Sequence, residues 1–432
     1  MQKIVIGILG FGVVGKGTVQ NILERKKEIF SRTGIEIEIK KICSRNLPTK
    51  KELNFKNQNL DKKIFTKNAN DLLQDKKIEI IIELIGGIDF AKDFIKKALQ
   101  QGKHVITANK HLLAKYGNEL FNLAQKNNRL LLCEASVAGA IPCLKFLRKN
   151  CPGGKFSYIE GILNGTANFI LSKLQIEGGD FKTVLKQAQK NGFAEKDPTF
   201  DIEGIDAAHK IAILSSFVFG GKIDLNAVKI EGISKLIPED FEFAKINGYK
   251  IKLIAKSEKI KNRVFTSVRP VFVKKFSQLG QTDGVLNCVF LNDNFSGPIL
   301  MKGSGAGGLA TGSAILADII EIAENNLLQS IPFKKSNNLS SGNFKDLFSK
   351  TVFRVEAKDG VGILAKIANI LAKENISIIG VHNNHPNSKG IVPIFLFLEK
   401  AKWEYLEKAA QKINHLSFVQ SSPIIFSVSD HE

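Results

Sequence analysis

The sequence predicts an α/β protein: a doubly wound parallel sheet at the N-terminus, a central α+β segment and a small βαββαβ tail. Three observations predict it. A short apolar strand, Lys3 to Leu9, runs directly into GFGVVG (Gly10 to Gly15) and then into a segment of helical periodicity, Lys16 to Lys27. Strand-like and helical runs then alternate up to residue 134, the pattern of parallel strands joined by crossover helices. Residues 351–432 read strand, helix, strand, strand, helix, strand, a ferredoxin-like order.

Bulk properties narrow the function classes. With 432 residues the chain has room for two or three domains, and 44% hydrophobic content supplies their cores. The net charge of +20 comes from 62 basic against 42 acidic residues, but lysine is spread evenly and forms no patch. That distribution argues against nucleic acid and for an anionic substrate or cofactor. Five cysteines (Cys43, Cys133, Cys143, Cys151, Cys288) form no CxxC, so they read as buried thiols of a reducing compartment. Glycines at 7, 10, 12 and 15 break the opening apolar run, and no stretch approaches the ~20 apolar residues of a membrane span. A soluble cytoplasmic protein is expected, with neither membrane nor nucleic acid as partner.

In the first segment the physics sits in the turn after the first strand. Gly10 allows the tight turn, Gly12 lets the backbone approach a pyrophosphate, and Gly15 lets the helix pack close. Phe11, Val13 and Val14 complete the loop, whose helix N-terminus faces the phosphates of a dinucleotide. The plain alternative is a glycine turn with no ligand. The second strand, Ile35 to Cys43, ends in Ser44-Arg45 with no carboxylate for ribose hydroxyls. Arg45, with Lys50 and Lys51 nearby, suits a 2′-phosphate and favours NADP over NAD, unless it is an ordinary surface arginine. Further strands are expected at Ile78–Ile85, Lys103–Thr107 and Arg129–Glu134, with helices at Asp89–Gln101 and His111–Asn127. Lys110 falls at a strand end, either as a loop lysine or as a cation near the nicotinamide.

Past the sheet, Glu134 to Pro142 (EASVAGAIP) is either a hinge or a turn whose carbonyls and carboxylate hold a monovalent cation. A strand at Ser157–Leu163, the NGT turn at Asn164–Thr166 and a helix at Ala167–Leu174 follow. Helices are expected near 180–191, 204–219 and 239–256, and strands at 263–273 and 284–291. The stretch Gly192 to Ile211, GFAEKDPTFDIEGIDAAHKI, carries Glu195, Asp197, Asp201 and Glu203 and then a helix start with Asp206 and Lys210. Four apart, Asp206 and Lys210 share one helix face. An acidic loop capping a surface helix is the bland reading; a carboxylate cluster facing a lysine would hold a small zwitterion. The glycine-rich run from Gly297, including Gly303, leads into a long apolar helix that either returns to the first domain near the cofactor or serves as a connector. Residues 330–350 read as a linker.

These pieces together resemble the homoserine dehydrogenase family, in its form with a C-terminal ACT domain. GFGVVG, ELIGG, TANK, EASVAGAIP, GILNGTANFIL and AEKDPTFDIEGIDAAHK stand in the family's order and span nearly the whole chain. The resemblance implies domains at 1–134 (Rossmann, completed by a helix within 303–329), 135–302 (substrate and dimerisation) and 351–432 (ACT). It implies Lys210 as proton donor, Lys110 beside the cofactor and the reacting oxygen, and Glu195 at the amino-acid end of the substrate. Asp201, Asp206 and Thr166 match residues around the substrate, and Gly303 is carried over to the cofactor site. Glu134 with the carbonyls of Val137, Gly139 and Ile141 matches a sodium site. Ala138 stands where glycine is usual and Val361 where proline is usual. A threonine effector at the tail and a homodimer or homotetramer are likewise implied.

The expected reaction interconverts L-aspartate 4-semialdehyde and L-homoserine with NADP or NAD. A lysine ammonium aimed at the carbonyl oxygen would stabilise its developing charge and supply the proton. Asp206 would either steady Lys210 or bind the substrate ammonium beside Glu195. Two other readings compete: a Rossmann oxidoreductase for a different amino-acid carbonyl, and an amino-acid sensor with a decayed enzyme part. The complete Glu195, Asp206 and Lys210 set weighs against decay. A nucleotide fold starting at residue 3 predicts no fused aspartate kinase.

Overall fold

The computed structural model describes residues 2–49, 51–55, 58–149, 153–222, 224–324, 339–383 and 386–429. These residues form two compact units, interleaved along the chain and described separately. The first comprises residues 1–163, 209–225 and 286–339; the second comprises 164–208, 226–285 and 340–432.

The first unit is built on six strands: β1 (Gln2–Leu9), β2 (Ile35–Cys43), β3 (Phe65–Thr66), β4 (Ile80–Glu83), β5 (His104–Thr107) and β6 (Leu131–Leu132). Their order is β3-β2-β1-β4-β5-β6 and every pairing is parallel. This is the doubly wound order, and it puts a topological switch point between the carboxyl ends of β1 and β4. The strands are covered on both faces, which is why β1 and β4 read as continuous apolar runs. Ile6, Ile8, Ile80 and Ile82 are fully buried in one core with Ile315 and Ile319 of the helix Gly308–Ala323.

That helix decides between the two readings of the glycine-rich run: it packs on the helix Val13–Glu24. The contact is backbone to backbone. A Cβ on Gly17 would sit 2.1 Å from the Gly308 carbonyl oxygen, and one on Gly312 would sit 2.7 Å from the Gly17 carbonyl carbon. Ahead of it lies a strand the sequence reading does not contain, Gly297–Ser304, antiparallel to Leu286–Asp293. Leu286–Asp293 pairs in turn with Phe156–Ile162.

In the second unit, the helix expected over 239–256 is two elements. Helix Pro238–Ile246 stops at Asn247, and Gly248 with φ +78° turns the chain into the strand Tyr249–Ile260. The helical spacing of Phe241 with Ala244 and of Phe243 with Ile246 runs out there, and YKIKL alternates as a strand does. This strand pairs antiparallel with Arg263–Lys274. Lys252 is 1% exposed and donates to Asn168 Oδ1, Thr282 O and Asp283 Oδ1 at 3.1, 2.7 and 2.8 Å, fixing the helix Gly165–Glu177 on the sheet.

The tail has the expected βαββαβ order, with strands Phe348–Lys358, Ile378–Asn383, Ile391–Lys402 and Ile424–Val428 and helices Ile363–Lys373 and Trp403–Asn414. The spatial order of its strands is fourth, first, third, second, all antiparallel. The polar stretch read as a linker lies partly outside the described residues (330–338). Its described end is structured: Ser340–Ser341 pairs with Arg263–Val264, and Phe344–Asp346 forms a helical turn. Cys43, Cys133, Cys143 and Cys288 are buried free thiols; Cys151 lies outside the described residues.

Candidate functional site

The loops at the switch point carry the dinucleotide motif. Gly10 has φ +111°, and a Cβ there would meet the Leu84 carbonyl oxygen at 2.8 Å; a Cβ on Gly15 would meet the Gly10 oxygen at 2.3 Å. Around Gly12 there is open space. The helix it caps starts at Val13 with neither a side-chain cap nor an acidic residue in its first turn, so its leading amides suit a phosphate. Phe11 is buried against Phe65, while Val13 is exposed. Arg45 lies exposed just beyond β2. Gly303 lies in the strand Gly297–Ser304, where a Cβ would sit 3.2 Å from Ile141 Cγ1. Gly308, not Gly303, abuts the phosphate-loop helix, at Val13.

Glu83, fully buried at the end of β4, holds the neighbouring loops. It accepts from the amides of Ile85 and Gly86 at 2.9 and 3.2 Å and from Thr107 Oγ1 at 2.6 Å. Burial pushes its carboxyl above the usual range, and these donors oppose that. Asn109 continues the network, donating to Gly87 O at 2.6 Å and accepting from the Leu112 amide at 3.1 Å as N-cap of the helix Lys110–Lys126. Lys110, the first residue of that helix, is thereby fixed by Thr107 and Asn109 of its own motif. His111, beside it, meets His209 edge to face at 4.7 Å between ring centroids.

Lys210 lies in the helix Ile205–Phe219, and its Nζ donates to the carbonyl oxygen of Leu163 at 2.7 Å. The next residue, Asn164, organises the acids. Its Nδ2 donates to Asp201 Oδ1 at 2.7 Å and to Asp206 Oδ2 at 2.9 Å, while its Oδ1 accepts from the Ala167 amide and caps the helix Gly165–Glu177. Asn164 and Asp206 are 5% and 3% exposed, so the arrangement is desolvated and the bonds count for more than they would on the surface. Thr166 Oγ1 donates to Phe193 O at 2.6 Å, tying the same helix start to the loop of Glu195. Glu195 itself is exposed, and its main-chain oxygen accepts from Gln189. Asp197 accepts from Thr199 through both the amide and the hydroxyl, which explains that acid as a local cap. Sequence reasoning missed Asn164, Leu163 and Glu83 as organising residues; the GILNGTANFIL and ELIGG motifs were the signals that contained them.

Glu134 is 3% exposed, and both its carboxylate oxygens are occupied by the first helix amides of Leu144 and Lys145, at 2.9 and 2.6 Å. Burial raises its carboxyl to about 7 against those amides. Its main-chain oxygen accepts weakly from Val137 N at 3.3 Å. Between Val137 and Ile141 the chain turns with Ala138 and Gly139 both left-handed, at φ +54° and +58°. Ala138, where glycine is usual in the resembled family, therefore occupies a conformation that suits glycine.

Comparison with known proteins identifies the family. The family model described as homoserine dehydrogenase matches residues 142–320, and that described as its NAD-binding domain matches residues 10–134. The homoserine dehydrogenase of Neisseria gonorrhoeae is 37% identical over 97% of both chains. The crystal structure of a homoserine dehydrogenase from Thiobacillus denitrificans superposes with a TM-score of 0.91 at 35% identity, covering 100% of this chain and 99% of that one. A hyperthermophilic archaeal homoserine dehydrogenase in complex with NADPH has a TM-score of 0.62 at 27% identity, covering 75% of this chain and 98% of that one. The chain belongs to the homoserine dehydrogenase family, NAD(P)-dependent oxidoreductases of amino-acid biosynthesis that interconvert L-homoserine and L-aspartate 4-semialdehyde.

Proposed function

We propose that in this enzyme Lys210 is the general acid and base, Lys110 assists at the reacting oxygen, and the acids bind the substrate's amino-acid end. One observation carries the reading: the bond from Lys210 to Leu163 O stands next in the chain to Asn164, which holds Asp201 and Asp206. When bound, the reduced nicotinamide supplies the hydride. Lys210 hydrogen-bonds the carbonyl oxygen that gains charge and gives it a proton; in the reverse direction it takes that proton back. Asp206, Asp201 and the Glu195 loop attract the substrate ammonium, with Thr166 setting the loop's position.

Gly10 to Gly15 cradle the pyrophosphate of the coenzyme, and Arg45 meets a 2′-phosphate. NADP is the preferred coenzyme, a reading supported by the absence of an acid beside Arg45 and by the archaeal relative's complex with NADPH. Sodium would bind the main-chain oxygens of Val137, Gly139 and Ile141, with the main-chain oxygen of Glu134, because that residue's carboxylate is committed to the helix amides. It would brace the turn and take no part in the chemistry. The βαββαβ tail acts as an ACT-type regulatory segment with threonine as effector, in a cytoplasmic homodimer or homotetramer. Among the described residues no helix is long and apolar enough to cross a membrane.

The test follows nicotinamide absorbance with purified protein, L-homoserine and NADP or NAD, for the native chain and Lys210→Ala. Homoserine-dependent reduction that disappears in the variant is expected. Reduction that persists in Lys210→Ala would move the proton-transfer role to another group.

A further inference from the structure

Glu83 takes no part in the roles above, yet it stands at the end of β4 beside the switch point. A fully buried carboxylate is costly unless donors surround it, and here each oxygen has them. Oε1 accepts from the Ile85 and Gly86 amides, at 2.9 and 3.2 Å, and Oε2 from the Thr107 hydroxyl at 2.6 Å. The hydroxyl proton has a set direction. Thr107 Oγ1 also accepts from the Asn109 amide at 3.0 Å, so its single proton is left for Glu83, which must be able to receive it. Asn109 Nδ2 then donates to Gly87 O at 2.6 Å and brings the chain of bonds back to the loop where it began.

The result is a closed circuit joining residues 84–88 after β4 to residues 107–110 at the end of β5. Glu83 and Thr107 are register partners, so their side chains bridge the carboxyl ends of adjacent parallel strands. Gly86 and Gly87 are left-handed, at φ +69° and +75°, which lets the first loop fold back onto the carboxylate. A Cβ on either glycine would meet nothing within 4 Å, so that side of the loop is open. Ile85, 42% exposed, abuts the phosphate turn: its Cγ2 lies 3.2 Å from where a Cβ on Gly10 would stand. At the other end of the circuit, Asn109 caps the helix that Lys110 begins. One carboxylate thus sets an open loop beside the phosphate turn and the start of the Lys110 helix against each other.

We infer that Glu83, in its ionised form, is a positioning residue for hydride transfer: it holds the loop at 84–88, as the seat of the nicotinamide half of the coenzyme, in a set relation to Lys110. The inference rests on the coenzyme and Lys110 readings proposed above. A misplacement of about 1 Å between reacting groups costs about a hundredfold in rate, while contacts elsewhere keep the ligand bound. Glutamine has the same size but cannot substitute. In one orientation its NH2 faces the Thr107 proton, and in the other it faces the two loop amides.

The experiment compares the full-length native enzyme with Glu83→Gln, Thr107→Val, Thr107→Ser, the double variant Glu83→Gln/Thr107→Val, and Lys110→Ala. In Glu83→Gln and Thr107→Val, kcat for homoserine oxidation should fall about tenfold or more with KM for L-homoserine little changed. Fluorescence titration with NADPH gives a second readout that needs no turnover. Its Kd should stay near native, because Gly10 to Gly15 are untouched, while the emission of the bound coenzyme shifts towards that of the free one. Thr107→Ser retains the hydroxyl and should keep a native kcat. The double variant should lose no more than the worse single one, since both break the same link. If Glu83→Gln does not fold, the two Thr107 variants decide the matter alone.

Native kcat in both Glu83→Gln and Thr107→Val, alongside a loss in Lys110→Ala, would overturn the inference and leave the Lys110 reading standing. Native kcat in Lys110→Ala would overturn that reading and the inference with it. Losses that multiply in the double variant would also overturn it, because the two residues would then act separately. A raised Kd for NADPH with native kcat would make Glu83 a support of coenzyme binding, not a positioning residue.

Discussion

The Lys210 ammonium donates to the main-chain oxygen of Leu163 at 2.7 Å, a bond to backbone that orients the side chain. A donor held by backbone needs little reorganisation when charge develops in front of it, which is where most of such a group's catalytic worth lies. Lys210→Ala should therefore lower kcat by about a hundredfold or more with little change in KM. Lys210→Arg keeps the charge but holds its proton too tightly to exchange it, and should recover KM without recovering kcat. Steady-state kinetics with L-homoserine decides it. An increase in KM at constant kcat would make Lys210 a binding residue only.

Asn164 serves the two aspartates and the helix cap through different atoms, so the roles can be separated. Asn164→Ser keeps an oxygen for the Ala167 amide but loses both donations to Asp201 and Asp206. Its KM for L-homoserine should rise about tenfold, the worth of a hydrogen bond to a charged group, while its urea midpoint stays close to native. Asn164→Ala also loses the cap and should cost about 1 kcal/mol of stability in addition. A native KM in both variants would mean that the acids keep their places without Asn164.

What the sequence made legible was whatever is local. GFGVVG announces its turn because Gly10 takes a left-handed φ of +111° and Gly15 must clear the Gly10 carbonyl oxygen, both within the motif itself. The acids from Glu195 to Asp206 are visible because they crowd one short stretch. Asn164 was legible only as a turn residue, since its partners lie 37 and 42 positions away and nothing nearby marks them. Glu83 likewise meets Thr107 across 24 positions. Two of the departures in secondary structure have the same origin. The strand Gly297–Ser304 carries Gly and Pro and little alternation, and only its pairing with Leu286–Asp293 makes it a strand. At Gly248 the change of period is abrupt, so a window spanning it averages helix and strand into one element.

Arg45 offers a charge at the end of β2 where no carboxylate competes for the ribose. If it meets the 2′-phosphate, Arg45→Ala should lower kcat/KM with NADP about tenfold or more and leave the value with NAD unchanged. Arg45→Asp should go further and favour NAD, because the new carboxylate accepts from ribose hydroxyls and repels the phosphate. The ratio of the two specificity constants is the quantity to measure. An equal loss with both coenzymes would mark Arg45 as a structural residue.

His104 gives the fold a pH limit on the acid side. Its Nδ1 accepts the Leu130 amide at 3.0 Å, so the folded state wants the neutral ring. Burial, helped by the Arg129 charge, holds its pKa down to about 4 from the ordinary 6.5. An unfolded chain takes up this proton below about pH 6.5, and the folded one resists until about pH 4. The stabilisation is therefore complete above the unfolded value and is lost as pH falls through that window. Allowing for solvent screening, it should amount to roughly 1–2 kcal/mol. His104→Asn retains an acceptor at the Nδ1 position and does not titrate. Its urea-unfolding free energy should fall less than that of the native chain between pH 7 and pH 4.5, by about that amount. Parallel pH profiles for the two proteins would show that His104 titrates alike in the folded and unfolded states.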